Sequence, residues 1–264
     1  MAELFSELFG VDIAGTGWAL LVGAAMLAGW VDAVIGGGGL ILIPVLMAVA
    51  PGLSPASVLA TNKLAAVSGT ASAAWALIRK IGVDMSLAVR FVPVAALCSG
   101  VGAVLAASLS KDVMRPAVIV LLLTAGTFVA LRPQFGQQAR PGAPRRKLLA
   151  LLAVALIAFY DGIFGPGTGM FLIMAFTALL SEDLLRASAL TKVVNTSTNL
   201  GALAMFIAGG HVLWLLGIVL ALANVAGAQL GARTVLAGGT KFLRFALLTL
   251  VVVMSIYLSI QQFA

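Results

Sequence analysis

The sequence has little charge for its length. Of its 264 residues, 9% are charged and 62% are hydrophobic, and the mean hydropathy is +1.14. A soluble domain carries about 25% charged residues. Because this chain cannot cover a soluble surface, its composition predicts an all-α integral membrane protein without a separate polar domain.

Residues that support disulfide or metal chemistry are also scarce. A single Cys98 excludes an intramolecular disulfide, and a single His211 argues against a zinc site. The apolar segments hold no acidic cluster for a divalent cation, which argues against cation transport, and the sequence indicates no cofactor. The segment 1–12 carries acids and no basic residue, unlike a cleaved signal. We attribute the net charge of +7 to positive loops beside a lipid bilayer rather than to nucleic-acid binding.

Glycine, by contrast, is concentrated at two positions. Four consecutive glycines follow Asp32, and each costs a helix about 1 kcal/mol relative to alanine. A second helix-breaking segment follows Asp161, 129 residues after Asp32, and it contains Pro166 as well as glycines. Two broken segments at matching positions of two halves are typical of a transporter binding site.

The same offset of 129 residues aligns more than the breaks. It pairs Lys63 with Lys192, Ser68 with Ser197, Gly102 with Gly231 and Arg115 with Arg244. We therefore predict a first membrane repeat at 1–131, a basic linker at 132–147 and a second membrane repeat at 148–264. Each repeat contains a broken, re-entrant helical hairpin and three transmembrane helices, giving eight full spans and two short half-helices. The last two spans are predicted at 212–234 and 242–259, with Thr240 capping the second.

Basic residues predict how the repeats are oriented. If the linker 132–147 is cytoplasmic, an inverted second repeat places nearly all lysines and arginines outside the membrane core on its side, whereas a parallel repeat divides them almost evenly. An inverted arrangement places both chain termini on the periplasmic side.

Two lysines are the strongest candidates for binding. Lys63 and Lys192 each lie about two turns into an apolar helix, where a charge costs a few kcal/mol and normally lines a water-filled cavity. The alternative is that their long stems reach the membrane interface. Lys192, Asn195 and Asn199 share one helical face, which favours a binding role.

Carboxylates precede both breaks. Asp32 and Asp161 could pair with a lysine, cap exposed backbone or carry a proton, and the sequence leaves these roles open. Backbone N–H groups at the breaks, with two lysines nearby, favour a small anion. Besides the two lysines and Asn195 and Asn199, the predicted binding residues are Thr61, Asn62, Thr191, Gly36, Gly37, Gly38, Gly39, Gly165, Gly167, Thr168 and Gly169.

These segments resemble the sulfite exporter TauE/SafE family of bacterial membrane permeases. The resemblance rests on Asp32–Gly39, on Asp161–Gly169 and on the lysine segments Thr61-Asn62-Lys63 and Leu190-Thr191-Lys192, and it covers essentially the whole chain. It implies a multi-pass protein of the bacterial inner membrane that exports small sulfur-containing anions such as sulfite or organosulfonates.

The function predicted from these observations is secondary transport by alternating access, with the substrate held at the broken helices between the repeats. An anion channel or facilitator for small oxyanions or carboxylates is the alternative. A membrane-embedded enzyme would need a nucleophile–base pair or a metal cluster, and the sequence shows neither.

Overall fold

The computed structural model describes Ile13 and residues 15–108 and 146–263, with side chains as far as residue 238. Every regular element in these residues is a helix. In chain order they are α1 (Gly15–Val34), α2 (Gly39–Val49), α3 (Pro55–Ile81), α4 (Met85–Ser108), α5 (Lys147–Ile163), α6 (Thr168–Leu180), α7 (Leu184–Ala208) and α8 (Trp214–Phe263). The predicted span at 113–131 and all but the end of the linker lie outside the described residues.

Both glycine breaks form the tips of helical hairpins. A β-carbon placed on Gly17, near the start of α1, would lie 2.8 Å from the side chain of Val49 at the end of α2. In the second half the Arg146 amide donates a hydrogen bond of 2.8 Å to the Leu179 carbonyl, which joins the start of α5 to the end of α6. The short helices α2 and α6 therefore turn back beside α1 and α5, so each half contains the broken helical hairpin that the sequence predicts.

The two longest helices of the centre begin at side-chain caps. Ser54 accepts a hydrogen bond from the Ser57 amide, and Pro55 occupies the first position of α3. Asp183 accepts hydrogen bonds from the amides of Leu185 and Arg186 at the start of α7. Because these caps satisfy amides that a helix leaves unpaired, each fixes the residue at which its helix begins.

The end of the chain differs from the prediction. The sequence predicts a break between 234 and 242 with Thr240 as a cap, but α8 is continuous from Trp214 to Phe263. Glycine, unlike proline, keeps its backbone N–H group. The helix therefore loses no hydrogen bond at Gly238-Gly239 and bears only the modest cost of two glycines. The stretch of α8 that suits a membrane span is Trp214–Gly238.

Among the described residues, three helices are long and apolar enough to cross a membrane: α1, α4 and the first part of α8. The helices α3 and α7 are long enough as well, but polar residues interrupt their apolar sequence. They pack against each other in the centre of the molecule. The least apolar of the long helices therefore lie where a polar site can form.

Packing between the halves is reciprocal. Helix α1 packs on α8 and α5 packs on α4, while α3 packs on α8 and α7 packs on α4. Contacts at single residues match as well, since a β-carbon on Gly102 would lie 2.2 Å from the Phe159 carbonyl oxygen and one on Gly231 would lie 2.6 Å from that of Trp30. Phe159 follows Trp30 by the same 129 residues that separate the two glycines. The same backbone contact is thus made twice.

Two apolar clusters lie at opposite ends of the α3–α7 pair. Cluster 1 takes the later part of α3 and the earlier part of α7, including Leu77 and Leu190. Cluster 2 takes the earlier part of α3 and the later part of α7, including Leu59 and Phe206. Because the end of α3 lies beside the start of α7, the two helices run antiparallel. Apart from Ser188, the buried polar residues of the two helices lie between Leu59 and Leu77 of α3 and between Leu190 and Phe206 of α7.

Candidate functional site

A polar cavity, here called the central cavity, lies where both glycine breaks meet α3, α7 and α8. Its volume is about 20 Å³. A space of about 10–15 Å³ is needed for one water molecule, so the cavity in this conformation is of water size. Its walls are formed by Asp32, Gly36, Gly38, Gly39, Asn62, Lys63, Ala66, Asp161, Gly165, Asn195, Asn199 and Asn224.

Lys63 forms a buried ion pair across the two halves. Its Nζ lies 2.7 Å from Oδ2 of Asp161, and the two side chains are only 2% and 3% exposed. Lys63 belongs to α3, whereas Asp161 belongs to α5 beside the second break. The alternative that Lys63 reaches the membrane interface is therefore wrong, and its ammonium is directed to the centre.

Lys192 occupies the corresponding position of the second half and makes a different contact. Its side chain is fully buried, and its ammonium donates a hydrogen bond to the backbone carbonyl of Asp32. Lys192 therefore lies behind the wall of the central cavity and supports a wall residue. Each lysine reaches the aspartate segment of the other half, although only Lys63 pairs with the carboxylate.

Asp32 uses its carboxylate to close the first break. Its Oδ1 accepts a hydrogen bond of 3.3 Å from the Gly38 amide, at the start of α2. A carboxylate at that position satisfies an unpaired amide and interacts favourably with the helix dipole. Of the roles that the sequence left open, Asp32 caps backbone and Asp161 pairs with a lysine, so two matched residues make different contacts.

The two breaks share a backbone conformation and contact each other. Gly36 and Gly165, which correspond at the offset of 129, have φ angles of +88° and +96°. The Gly169 amide donates a hydrogen bond of 3.2 Å to the Gly36 carbonyl. A β-carbon on Gly36 would lie 2.3 Å from the Cα of Gly169. Only glycine fits here, because the φ angle and the close approach both exclude a side chain.

Several amides at the breaks are already used inside the protein. The Gly38 amide is bonded to Asp32, and the Gly169 amide is bonded to Gly36. The Thr168 amide and hydroxyl both donate to the Gly165 carbonyl, at 3.2 and 2.7 Å. The sequence predicts that the breaks present these amides to an anion. This prediction is wrong for Gly38, Thr168 and Gly169, because their amides already donate hydrogen bonds within the protein.

The structure brings many of the predicted residues to the cavity wall and leaves others behind it. Those on the wall are Lys63, Asn62, Asn195, Asn199, Gly36, Gly38, Gly39, Gly165, Asp32 and Asp161. The remaining predicted residues, which are Gly37, Thr61, Gly167, Thr168, Gly169, Thr191 and Lys192, do not line it. The hydroxyls of Thr61 and Thr191 are fully buried and have no hydrogen-bond partner.

Sequence reasoning missed Asn224, which reaches the cavity wall from α8. Its amide nitrogen donates a hydrogen bond of 3.1 Å to the Ala25 carbonyl. Two glycines make room for it, since a β-carbon on Gly69 would lie 1.9 Å from Asn224 Oδ1 and one on Gly29 would lie 2.0 Å from the Asn224 carbonyl oxygen. The residue 129 positions earlier is Ala95, so comparison of the repeats could not find it. A lone carboxamide in an apolar helix was the available signal.

The cavity wall combines four carboxamides with a balanced set of charges. Asn62, Asn195, Asn199 and Asn224 supply groups that both donate and accept hydrogen bonds. Asp32 and Asp161 oppose the ammonium of Lys63, and the ammonium of Lys192 lies against Asp32. Such a site can hydrogen-bond a small polar solute, but it offers an anion no excess positive charge in the conformation seen here.

Comparison with known proteins identifies relatives over almost the whole chain. The sequence profile of the family described as sulfite exporter TauE/SafE matches residues 21–258. The chain is 38% identical over 253 residues to a probable membrane transporter protein, YfcA, of Escherichia coli strain K12, which covers 96% of this chain and 93% of the relative. It is 35% identical to the probable membrane transporter protein ORF9 of a Sinorhizobium species, covering 93% and 92% of the two chains. No solved structure matches the chain.

Proposed function

Because the chain belongs to the sulfite exporter TauE/SafE family of membrane transporters, we propose that it carries small sulfur-containing anions, such as sulfite or organosulfonates, out of a bacterial cell. The buried ammonium of Lys63 on the wall of the central cavity is the observation that carries this proposal. A buried lysine in a membrane is costly and is retained where it serves a solute pathway.

The substrate is held by the wall of the central cavity. Lys63 supplies the charge, and the amides of Asn62, Asn195, Asn199 and Asn224 supply hydrogen-bond donors to anion oxygens. Hydrogen bonds to a charged group are worth about 1.5–3 kcal/mol each. Lys192 acts indirectly by holding the backbone of Asp32 in place.

Transport occurs by alternating access between two inverted repeats, 1–131 and 148–264. The antiparallel course of α3 and α7 and the reciprocal packing of α1 on α8 and α5 on α4 support inversion. A cavity of about 20 Å³ is too small for an oxyanion of four or more heavy atoms. The halves must therefore move apart to admit the substrate, which favours a transporter over an open channel.

The protein lies in the inner membrane with its linker 132–147 in the cytoplasm and its termini in the periplasm. The basic residues of the linker and of the end of α3, Arg79 and Lys80, support this orientation. The end of the linker at Arg146 is bonded to Leu179 at the end of α6, on the same side as the start of α7.

Anion binding requires Lys63 to be released from Asp161. One route is protonation of the Asp161 carboxyl as the anion arrives, which keeps the buried site electrically balanced and couples the anion to a proton. Asp32 is the second candidate carrier, since its carboxylate also lies on the cavity wall. Flux measured with and without a pH gradient tests this coupling, and indifference to the gradient would count against it.

The decisive experiment compares three lysine variants in proteoliposomes loaded with sulfite or sulfoacetate. Lys63→Ala and Lys192→Ala should each lower saturable flux by about tenfold or more, given the strength of charged hydrogen bonds. Lys80→Ala, which alters an exposed lysine at the end of α3, should leave flux unchanged. Wild-type flux and affinity in both buried-lysine variants would overturn the proposed site, and carboxylate transport at the same rate would overturn the sulfur-anion selectivity.

A further inference from the structure

We infer that a second cavity is the linker-side mouth of the translocation path and that Leu190 closes it in this conformation. This inference rests on the transport function proposed above. The second cavity, here called the mouth cavity, has a volume of about 310 Å³. Its walls are formed by residues 81–84, at the end of α3 and just beyond it, and by Glu182, Arg186 and Leu190 around the start of α7.

The mouth cavity lies on the side of the chain where the linker ends. The Arg146 amide, at the end of the linker, is bonded to the Leu179 carbonyl at the end of α6. Residues 181–183 then lead directly into α7, so the start of α7 lies at the same end of the molecule as Arg146. The volume of the mouth cavity is large enough for a hydrated small anion, whereas that of the central cavity is not.

A short segment of α7 separates the two cavities. Leu190 is only 2% exposed, belongs to cluster 1 and forms part of the mouth wall. Asn195, on the wall of the central cavity, follows it by five residues, or about 7.5 Å along the helix. Between them Lys192 bonds to Asp32, another wall residue of the central cavity. Residues five apart on a helix also differ by about 140° around its axis, so a path between the cavities runs around this segment of α7 as well as along it, and movement of Leu190 and its neighbours opens its mouth end.

Two buried hydroxyls mark the same part of α7. Ser188 and Thr191 are fully buried, and neither hydroxyl has a hydrogen-bond partner. Leaving such a group unsatisfied costs about 1–3 kcal/mol. Both residues lie in the segment that connects the mouth to Asn195, and a hydrated anion passing there supplies the missing partners. The orphaned hydroxyls are thus accounted for by the path.

The charged residues on the walls of the mouth cavity would let an anion pass without binding it tightly. Arg186 is already paired with Asp183 at 3.4 Å, and the carboxylates of Asp84 and Glu182 lie on the same walls, so the mouth cavity offers an anion no excess positive charge that would retain it. The repeat offset places Thr61 at the position equivalent to Leu190, so a hydroxyl replaces the leucine in the other half. The leucine therefore makes the linker-side barrier the more apolar of the two at this position.

Thiol labelling of oriented vesicles tests the path without any transported substrate. The single native cysteine is first removed by Cys98→Ala, and Leu190→Cys is then exposed to an anionic, membrane-impermeant methanethiosulfonate added to one side. Arg186→Cys marks the mouth, and Gly52→Cys, in the exposed loop between α2 and α3, marks the opposite side. We expect Leu190→Cys to react from the side that labels Arg186→Cys and not from the side that labels Gly52→Cys.

Failure to label Leu190→Cys from the mouth side, while Arg186→Cys reacts, would overturn the inference. Labelling only from the Gly52→Cys side would overturn it equally. As a second readout, Leu190→Trp should reduce flux at least about tenfold, and Leu190→Ala should not reduce it; equal loss in both would also overturn the path. Correct labelling without flux of any sulfur anion tested would instead contradict the proposed substrate, so the two failures are distinguishable.

Discussion

The Lys63–Asp161 ion pair joins the third helix of the first half to the broken hairpin of the second, over a distance of 2.7 Å and almost without exposure to solvent. Breaking a buried pair by removing one partner leaves an uncompensated charge, which typically costs about 3–5 kcal/mol. The pair therefore links the binding site to the packing between the halves.

Neutralising either partner should destabilise the protein more than neutralising both. We expect Lys63→Met and Asp161→Asn each to lower the free energy of unfolding by about 3 kcal/mol, and the double variant to lose less than either single variant. Denaturant titration of the detergent-solubilised protein, followed by circular dichroism, measures all three. Strictly additive losses would show that the two charges do not interact.

Asp32 and Asp161 should respond differently to asparagine. The Asp32→Asn variant keeps a side-chain oxygen that can accept the Gly38 hydrogen bond, so it should be more stable than Asp32→Ala by about 1 kcal/mol. A neutral carboxamide cannot restore the ion pair with Lys63, so Asp161→Asn should be nearly as unstable as Asp161→Ala. Unfolding temperatures of the four variants test this contrast, and rescue by asparagine at position 161 alone would reverse the assigned roles.

The contact between the breaks predicts a large cost for a single methyl group. Gly36→Ala forces alanine into a positive φ angle, which costs about 1–2 kcal/mol, and drives its methyl into the Gly169 backbone. We expect its unfolding free energy to fall by more than about 2 kcal/mol, because the backbone clash adds to that cost. Gly23→Ala is the matched control, because Gly23 lies within α1 with nothing near its β-position, and its stability should not fall.

Asn224 depends on the empty space above Gly69. Gly69→Ala would place a methyl on the Asn224 carboxamide and push the flexible side chain away from its present position. We expect a severalfold rise in KM for the transported anion with a small change in unfolding temperature. Asn224→Ala should have the same effect, and the double variant should be no worse than either single change. Additive effects of the two changes on KM would contradict the shared mechanism.

Much of this arrangement could be predicted from the sequence because buried charge and broken helices leave strong local signals. Lys63 and Lys192 stand out in apolar segments, and Asp32–Gly39 interrupts a span. The different contacts of Asp32 and Asp161 could not be predicted, because they depend on which lysine of one half reaches the carboxylate of the other. That difference is set by tertiary packing rather than by local pattern.

Other features escaped prediction for the same kind of reason. Of the four carboxamides of the central cavity, the sequence predicts Asn62, Asn195 and Asn199 but not Asn224, whose equivalent position in the first repeat holds alanine. Asn224 in particular is placed by the absence of side chains on two other helices, at Gly29 and Gly69. The continuity of α8 through Gly238-Gly239 differs from the prediction because a glycine pair weakens a helix without forcing it to end.

The reciprocal packing has a consequence for how the protein is made. Since α1 packs on α8 and α5 packs on α4, a ribosome that has completed the first half has released helices whose neighbours are not yet synthesised. Until then, the first hairpin lies in the lipid without the contacts that the second half makes to its backbone break and to Asp32. Assembly of the lysine-lined centre can finish only after the last long helix has been inserted.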